Sequence, residues 1–182
     1  MLFSPQIPLQ LMPQRDCRFD EFVAGPNKAV VEAIRHVPDE PGSSIFLFGD
    51  PGSGKTHLLN ALCHETRERG GRAFYLALER LPKDAIASLE GLEKLDLVCV
   101  DDLHVIAGDK AWEEALFHCF NRIREKQGRL VVSSSKRLSA LELTLPDLAS
   151  RLAWGLRLPL LPLADSDKLA AINLHSNALG IG

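Results

Sequence analysis

Gly49-Asp50-Pro51-Gly52-Ser53-Gly54-Lys55-Thr56 satisfies G-x-x-x-x-G-K-[ST] at every defined position. The apolar run before it, Ile45-Phe46-Leu47-Phe48, has the composition of a buried strand. His57-Leu58-Leu59-Asn60-Ala61-Leu62-Cys63 after it reads as a helix. Strand, loop and helix in that order are the setting in which this motif cradles phosphate. Glycines let the loop's N–H groups converge on phosphate oxygens, and the helix N-terminus adds positive partial charge. Lys55 has the length to reach β- and γ-phosphates, and the Thr56 hydroxyl suits Mg²⁺. The stretch therefore predicts a nucleotide site built from Gly49, Pro51, Gly52, Ser53, Gly54, Lys55, Thr56 and His57.

Downstream, Leu95-Asp96-Leu97-Val98-Cys99-Val100-Asp101-Asp102 reads as a strand buried on both faces, as in a parallel sheet. It ends in two aspartates, at the sheet edge where open α/β folds bind ligands. A lone Asp-Asp there would be a solvated turn. Downstream of a P-loop, Asp101 is a candidate for the Mg²⁺ shell and Asp102 for polarising the attacking water. A third strand end, Ser133-Ser134-Ser135-Lys136 after Arg129-Leu130-Val131-Val132, offers hydroxyls to a γ-phosphate or its water. It is equally ordinary loop composition.

The remaining elements follow from periodicity. Ala73-Phe74-Tyr75-Leu76-Ala77 reads as a strand after the Gly70-Gly71 stop, and residues 83–89 as a short helix. Trp112, Ala115, Leu116, Cys119, Phe120 and Ile123 recur in steps of three and four, so they form one core-facing helix side. A short helix over residues 145–152, a last strand over 154–158 and a helix over 165–179 complete the chain. A helix over residues 28–36 precedes the P-loop strand.

The 182 residues suit one domain with an appendage, and a net charge of −3 argues against broad attraction to nucleic acid or anionic membrane. Cys17, Cys63, Cys99 and Cys119 form no C-x-x-C pair and read as free thiols in a reducing compartment. No apolar run reaches membrane-spanning length and no signal-peptide pattern opens the chain, which points to the cytoplasm. Residues 1–16 carry Pro5, Pro8 and Pro13 and read as a flexible tail, within which Gln6, Leu9 and Leu11 alternate as spaced anchors. On composition alone the bland tail is the better reading.

The P-loop, the strand ending in Asp-Asp and the later polar strand end occur in the order of an AAA+ ATPase core. The details resemble the DnaA family and, within it, the shorter Hda-type regulatory inactivators. Phe19-Asp20-Glu21-Phe22-Val23 with Gly25 and Asn27 is similar to the family's segment on the adenine side of the nucleotide. Gly54-Lys55-Thr56-His57-Leu58-Leu59 is similar to the DnaA P-loop helix, and Ile106-Ala107-Gly108-Asp109 with Trp112 to the Hda stretch after the Asp-Asp strand. Leu145-Pro146-Asp147-Leu148-Ala149-Ser150-Arg151-Leu152 with Trp154-Gly155 resembles the Hda box VII nearly residue for residue.

The resemblance implies an α/β fold, a parallel sheet flanked by helices, with residues 17–163 as the AAA+ core and 164–182 as the first helix of a helical lid that is largely missing. It implies ATP or ADP with Mg²⁺ as ligands, with Phe22, Val23 and Asn27 on the base. Ser135 stands at the sensor 1 position, where the family usually has an acidic residue. The P-loop is intact, where Hda-like chains often have a degraded one. Arg151, by itself a surface ion-pair residue, becomes an arginine finger directed at ATP held by a neighbouring DnaA subunit, so Lys55, Asp102 and Arg151 are the catalytic candidates. Gln6, Leu9 and Leu11 fit the family's peptide for the DNA polymerase sliding clamp. DnaA and the clamp are then the expected partners, with no direct sequence-specific DNA binding, no membrane contact and self-association open. The expected function is negative control of replication initiation; the rivals are an autonomous ATPase and a nucleotide-locked, non-catalytic binding module.

Overall fold

The computed structural model describes residues 17–178. The tail positions Gln6, Leu9 and Leu11 lie outside them. Five parallel strands form one sheet: β1 (Ser44–Phe48), β2 (Ala73–Ala77), β3 (Leu97–Asp101), β4 (Arg129–Ser134) and β5 (Leu156–Pro159), in the order β2-β3-β4-β1-β5. Helices α1 (Lys28–His36), α2 (Lys55–Glu68), α3 (Lys110–Glu125), α4 (Pro146–Trp154) and α5 (Asp165–Ala178) flank it.

β3 explains the layering. Every residue of Leu97–Asp101 is buried, because helices cover both faces. Leu97 and Cys99 enter the core under α1 and α2, while Val98 and Val100 enter the core under α3 and α4. Alternate residues thus serve opposite layers. The α3 stripe is buried as its period demands: Trp112, Leu116, Cys119, Phe120 and Ile123 all lie in the second core. Each such side chain contributes roughly 1.5–3 kcal/mol. Trp112 also donates its Nε1–H to the Lys83 carbonyl at 2.8 Å. Cys63, Cys99 and Cys119 are buried free thiols, and Cys17 is half-buried.

The chain crosses from β1 through α2 to the far strand β2, so the P-loop emerges where β1 parts from β4. Gly49 N–H still donates to Ser134 O at 3.2 Å. Such a crevice at the C-terminal ends of parallel strands is the expected ligand position.

Three sequence expectations are corrected. Residues 83–89 do not form a regular helix; only Ala85–Leu89 turns, as a 3-10 stretch. The strand expected from residue 95 starts at Leu97, because Leu95 closes the turn over Leu92–Lys94. Trp154 does not open the last strand but ends α4. The reversal needs Gly155, where a Cβ would sit 2.1 Å from the Ser44 carbonyl oxygen. β5 then runs Leu156–Pro159 along β1, at a sheet edge that tolerates proline.

One buried carboxylate fixes α4. Glu113 is fully buried in the first turn of α3. It accepts N–H bonds from Gly108 (2.7 Å), Thr144 (3.1 Å) and Leu145 (2.7 Å), and the Thr144 hydroxyl at 2.9 Å. Burial alone would raise its pKa; these donors outweigh burial and hold it below the usual range. Among the described residues no helix is long and apolar enough to cross a membrane.

Candidate functional site

Gly54 caps α2 with φ +98°, a left-handed conformation that glycine adopts without a Cβ clash. A Cβ there would also lie 2.6 Å from Phe22 Cε2. The missing side chain lets the Phe22 ring lie on the loop, with the His57 ring 5.6 Å away. His57 Nε2 lies 2.9 Å from Arg18 O, which only a protonated Nε2 can satisfy. Phe22, Gly54 and His57 therefore meet at the start of α2. Val23 follows Phe22 in the same half-buried segment. Asn27 is buried, and its amide is fully engaged with Leu161: Nδ2 donates to Leu161 O at 2.9 Å and Oδ1 accepts Leu161 N–H at 2.8 Å.

Lys55 is nearly buried, and its ammonium folds onto its own loop, 2.7 Å from Gly49 O and 2.8 Å from Asp50 O, with Ser53 Oγ at 3.4 Å. Burial lowers its pKa, against the pull of Asp101, Asp102 and Asp50. Among the described residues no carboxylate stands within salt-bridge distance of it. A buried cation with only neutral oxygen partners is suited to a phosphate. Gly52 has nothing within 4 Å on the side where a Cβ would project, so the loop crest is open.

Asp101 is the hub. Its Oδ2 accepts the Thr56 hydroxyl at 2.6 Å and the Tyr75 hydroxyl at 2.6 Å. Its Oδ1 accepts the Ser133 hydroxyl, and Ser133 Oγ in turn accepts Asp102 N–H at 3.1 Å. This set is all oxygen, hard and anionic, which fits Mg²⁺ shared with a phosphate. Thr56 and Asp101 would hold the ion; its chemistry would be to neutralise charge developing on the phosphates.

Asp102 sits one residue beyond β3 with φ 64°, a conformation aspartate tolerates better than most residues. Burial, then the charge of Asp101, pushes its pKa up, which is the direction a proton acceptor near neutral pH requires. Ser135 N–H donates to His104 Nδ1 at 3.3 Å, so the third strand end is tied to the loop after Asp102.

Tyr75 was missed as a site residue, and Ser133, one of the three serines offered to a γ-phosphate, bonds Asp101 instead. Tyr75 carried a usable signal: a tyrosine inside a buried strand needs a partner for its hydroxyl. Ser133 lies on the Asp101 face, one step past the Val100↔Val132 pair. Period-two alternation pointed to it rather than to its neighbour Ser134.

Arg151 lies apart from this cluster, on α4. Its Nε donates to Asn121 Oδ1 at 2.8 Å, and its guanidinium lies 3.9 Å from the Trp154 ring centre and 5.6 Å from that of Phe117. Arg124 covers Trp154 as well, at 4.4 Å. Among the described residues Arg151 has no carboxylate partner, so the surface ion pair expected of an isolated arginine is not formed.

Residues 13–159 match the family described as the bacterial DnaA ATPase domain. The fold superimposes on domain III of the Thermotoga maritima replication initiation protein DnaA with a TM-score of 0.81 and 26% identity, covering 92% of this chain and 76% of that one. For AMPPCP-bound DnaA from Aquifex aeolicus the TM-score is 0.76 at 21% identity, over 91% of this chain and 55% of that one. For the Thermotoga maritima RuvB Holliday junction branch migration motor it is 0.63 at 23% identity, over 91% and 55%. The last two are likenesses of fold, and this chain spans little more than half their length. The family match runs through the P-loop, the Asp101–Asp102 strand end and Arg151 alike, and the chain belongs to the bacterial DnaA ATPase domain family, with an AAA+ P-loop NTPase fold.

Proposed function

We propose that this domain binds ATP or ADP with Mg²⁺ in its own P-loop and acts on replication initiation by offering Arg151 to ATP held by a neighbouring DnaA subunit. The observation that carries this reading is the state of Arg151. Its Nε is anchored on Asn121, its faces meet two aromatic rings, and no carboxylate among the described residues neutralises it. A guanidinium held so, with its terminal nitrogens unspent, is preorganised for an anion brought by another molecule. Fingers of this kind are worth roughly 10³–10⁵ in rate. The nucleotide reading is supported by the buried, anion-ready Lys55 and by the AMPPCP of the Aquifex aeolicus DnaA structure.

In this reading Lys55 and the loop from Gly49 to His57 hold the phosphates, and Phe22 and Val23 hold the base. Asn27 supports that wall through Leu161, Ser135 occupies the sensor 1 place, and α5 is the first helix of a lid. Docking on the sliding clamp through Gln6, Leu9 and Leu11 rests on the sequence pattern. The site suits a cytoplasmic replication regulator of the Hda type. The decisive measurement is ATP hydrolysis by DnaA on clamp-loaded DNA, with wild type and with Arg151→Ala. Equal stimulation by both, or none by wild type, sinks the finger. Clamp retention unchanged by Gln6→Ala/Leu9→Ala sinks the tether.

An autonomous ATPase is the second reading, favoured by the complete set of Lys55, Thr56, Asp101 and Asp102. Turnover by the isolated protein that Asp102→Asn abolishes supports it over the first.

A further inference from the structure

We propose that Tyr75 is a positioning residue for Asp101, and that its hydroxyl sets how tightly the site takes Mg²⁺ together with a nucleotide. The inference rests on the nucleotide reading above and adds a residue from β2, the edge strand, which contributes nothing else to the site.

The geometry follows from the ladder. β2 and β3 pair in parallel, with Tyr75 opposite Cys99 and Ala77 opposite Asp101. Tyr75, Cys99 and Asp101 share the face under α2. Ala77 is short, so the space beside Asp101 is filled along the diagonal by the tyrosine ring, a reach that aromatic side chains have. Its hydroxyl ends 2.6 Å from Asp101 Oδ2. That is the length of a charge-assisted O–H···O⁻ bond.

The same oxygen accepts Thr56 at an equal 2.6 Å, but the two donors stand on different elements, Thr56 on α2 and Tyr75 on β2. Thr56 Oγ1 would offer a lone pair to Mg²⁺ while still donating its proton to Asp101, so its position would follow the ion. Tyr75 then remains on Oδ2 and Ser133 on Oδ1. Protein donors on both oxygens fix the carboxylate plane. Removing the tyrosine hydroxyl leaves Oδ2 with Thr56 alone, a donor it would share with the ion, and loosens the orientation of the carboxylate. Donors to a ligating carboxylate are worth roughly 10- to 100-fold in metal affinity. The Tyr75 hydroxyl ends on Asp101, so its effect passes through that carboxylate.

The test is Tyr75→Phe, which keeps the ring and its packing. Binding of a fluorescent ATP analogue is titrated with Mg²⁺ and, separately, measured in EDTA; melting temperatures without ligand confirm the fold of the variant. The expected result is a Mg²⁺ midpoint raised about tenfold or more, with affinity in EDTA equal to wild type. A Mg²⁺ midpoint that is unchanged or lower overturns the inference. So does an equal loss of affinity in Mg²⁺ and in EDTA, the mark of a merely structural tyrosine. A wild type that binds no nucleotide overturns the nucleotide reading itself, and this inference with it. Should Tyr75→Phe fail to fold, Ala77→Val crowds the tyrosine diagonal from the neighbouring position, with the same two expected readouts and the same overturning results.

Discussion

Asn121 Oδ1 accepts the Arg151 Nε–H at 2.8 Å, so α3 aims the side chain that α4 carries. The two helices act as one mount, locked further by Glu113 under the start of α4. If the proposed finger role holds, Arg151→Ala is expected to leave nucleotide affinity unchanged and to remove roughly 10³-fold or more of the proposed stimulation of DnaA-bound ATP hydrolysis. Asn121→Ala keeps the guanidinium and loosens its aim, and should lose roughly 10- to 100-fold. Single-turnover hydrolysis by DnaA at saturating partner measures both. An Asn121→Ala protein as active as wild type would refute the aiming role.

Lys55→Ala should abolish nucleotide binding while leaving the unliganded protein folded, since it removes a cation that burial disfavours. Wild type should gain about 2.7 kcal/mol of stability at a nucleotide concentration a hundredfold above Kd. The variant should gain none. Thermal unfolding with and without ATP and Mg²⁺ decides it.

Gly54→Ala meets two penalties: a left-handed backbone, worth about 1–2 kcal/mol, and a Cβ 2.6 Å from the Phe22 ring. Adding Phe22→Ala should relieve the second only. A double-mutant cycle on denaturant midpoints should therefore show a coupling of about 0.5–3 kcal/mol. Strict additivity would mean that the ring does not rest on the loop.

Glu113→Gln places an amide NH₂ among four donors. The expected loss is roughly 2–4 kcal/mol at neutral pH, from unsatisfied buried groups. The wild-type carboxyl titrates below its usual value when folded. Its contribution is thus present above the unfolded pKa and is lost as pH falls through the folded one. Between about pH 5 and 3 the gap between wild type and variant should narrow. Urea midpoints at pH 7 and pH 3.5 test this; a constant gap contradicts it.

The sequence revealed the elements whose signals are local. The P-loop needs consecutive residue types, β3 needs an unbroken apolar run, and α3 needs a 3.6 period; each is present, with β3 starting two residues later than expected. The features that stayed hidden depend on pairing between strands and helices distant in sequence. Tyr75 reaches Asp101 only because β2 lies beside β3 in a given register. Glu113 looks like any exposed helix glutamate until the loop at Thr144 folds over it. Trp154, expected to open the last strand, instead places its ring under two guanidiniums that only the α3–α4 contact assembles.

The doubled bond between Asn27 and Leu161 carries a mechanical consequence. It rivets the turn after the Phe22 wall to the strip of chain that leads from β5 into α5. Gly25, in that same turn, lies so close to Leu163 and Asp167 that a Cβ would collide with both. The base-side wall and the root of α5 therefore travel as a single lever. A swing of α5 cannot leave the Phe22 ring behind, so in the proposed nucleotide reading whatever grips α5 would also set how firmly the base is clasped.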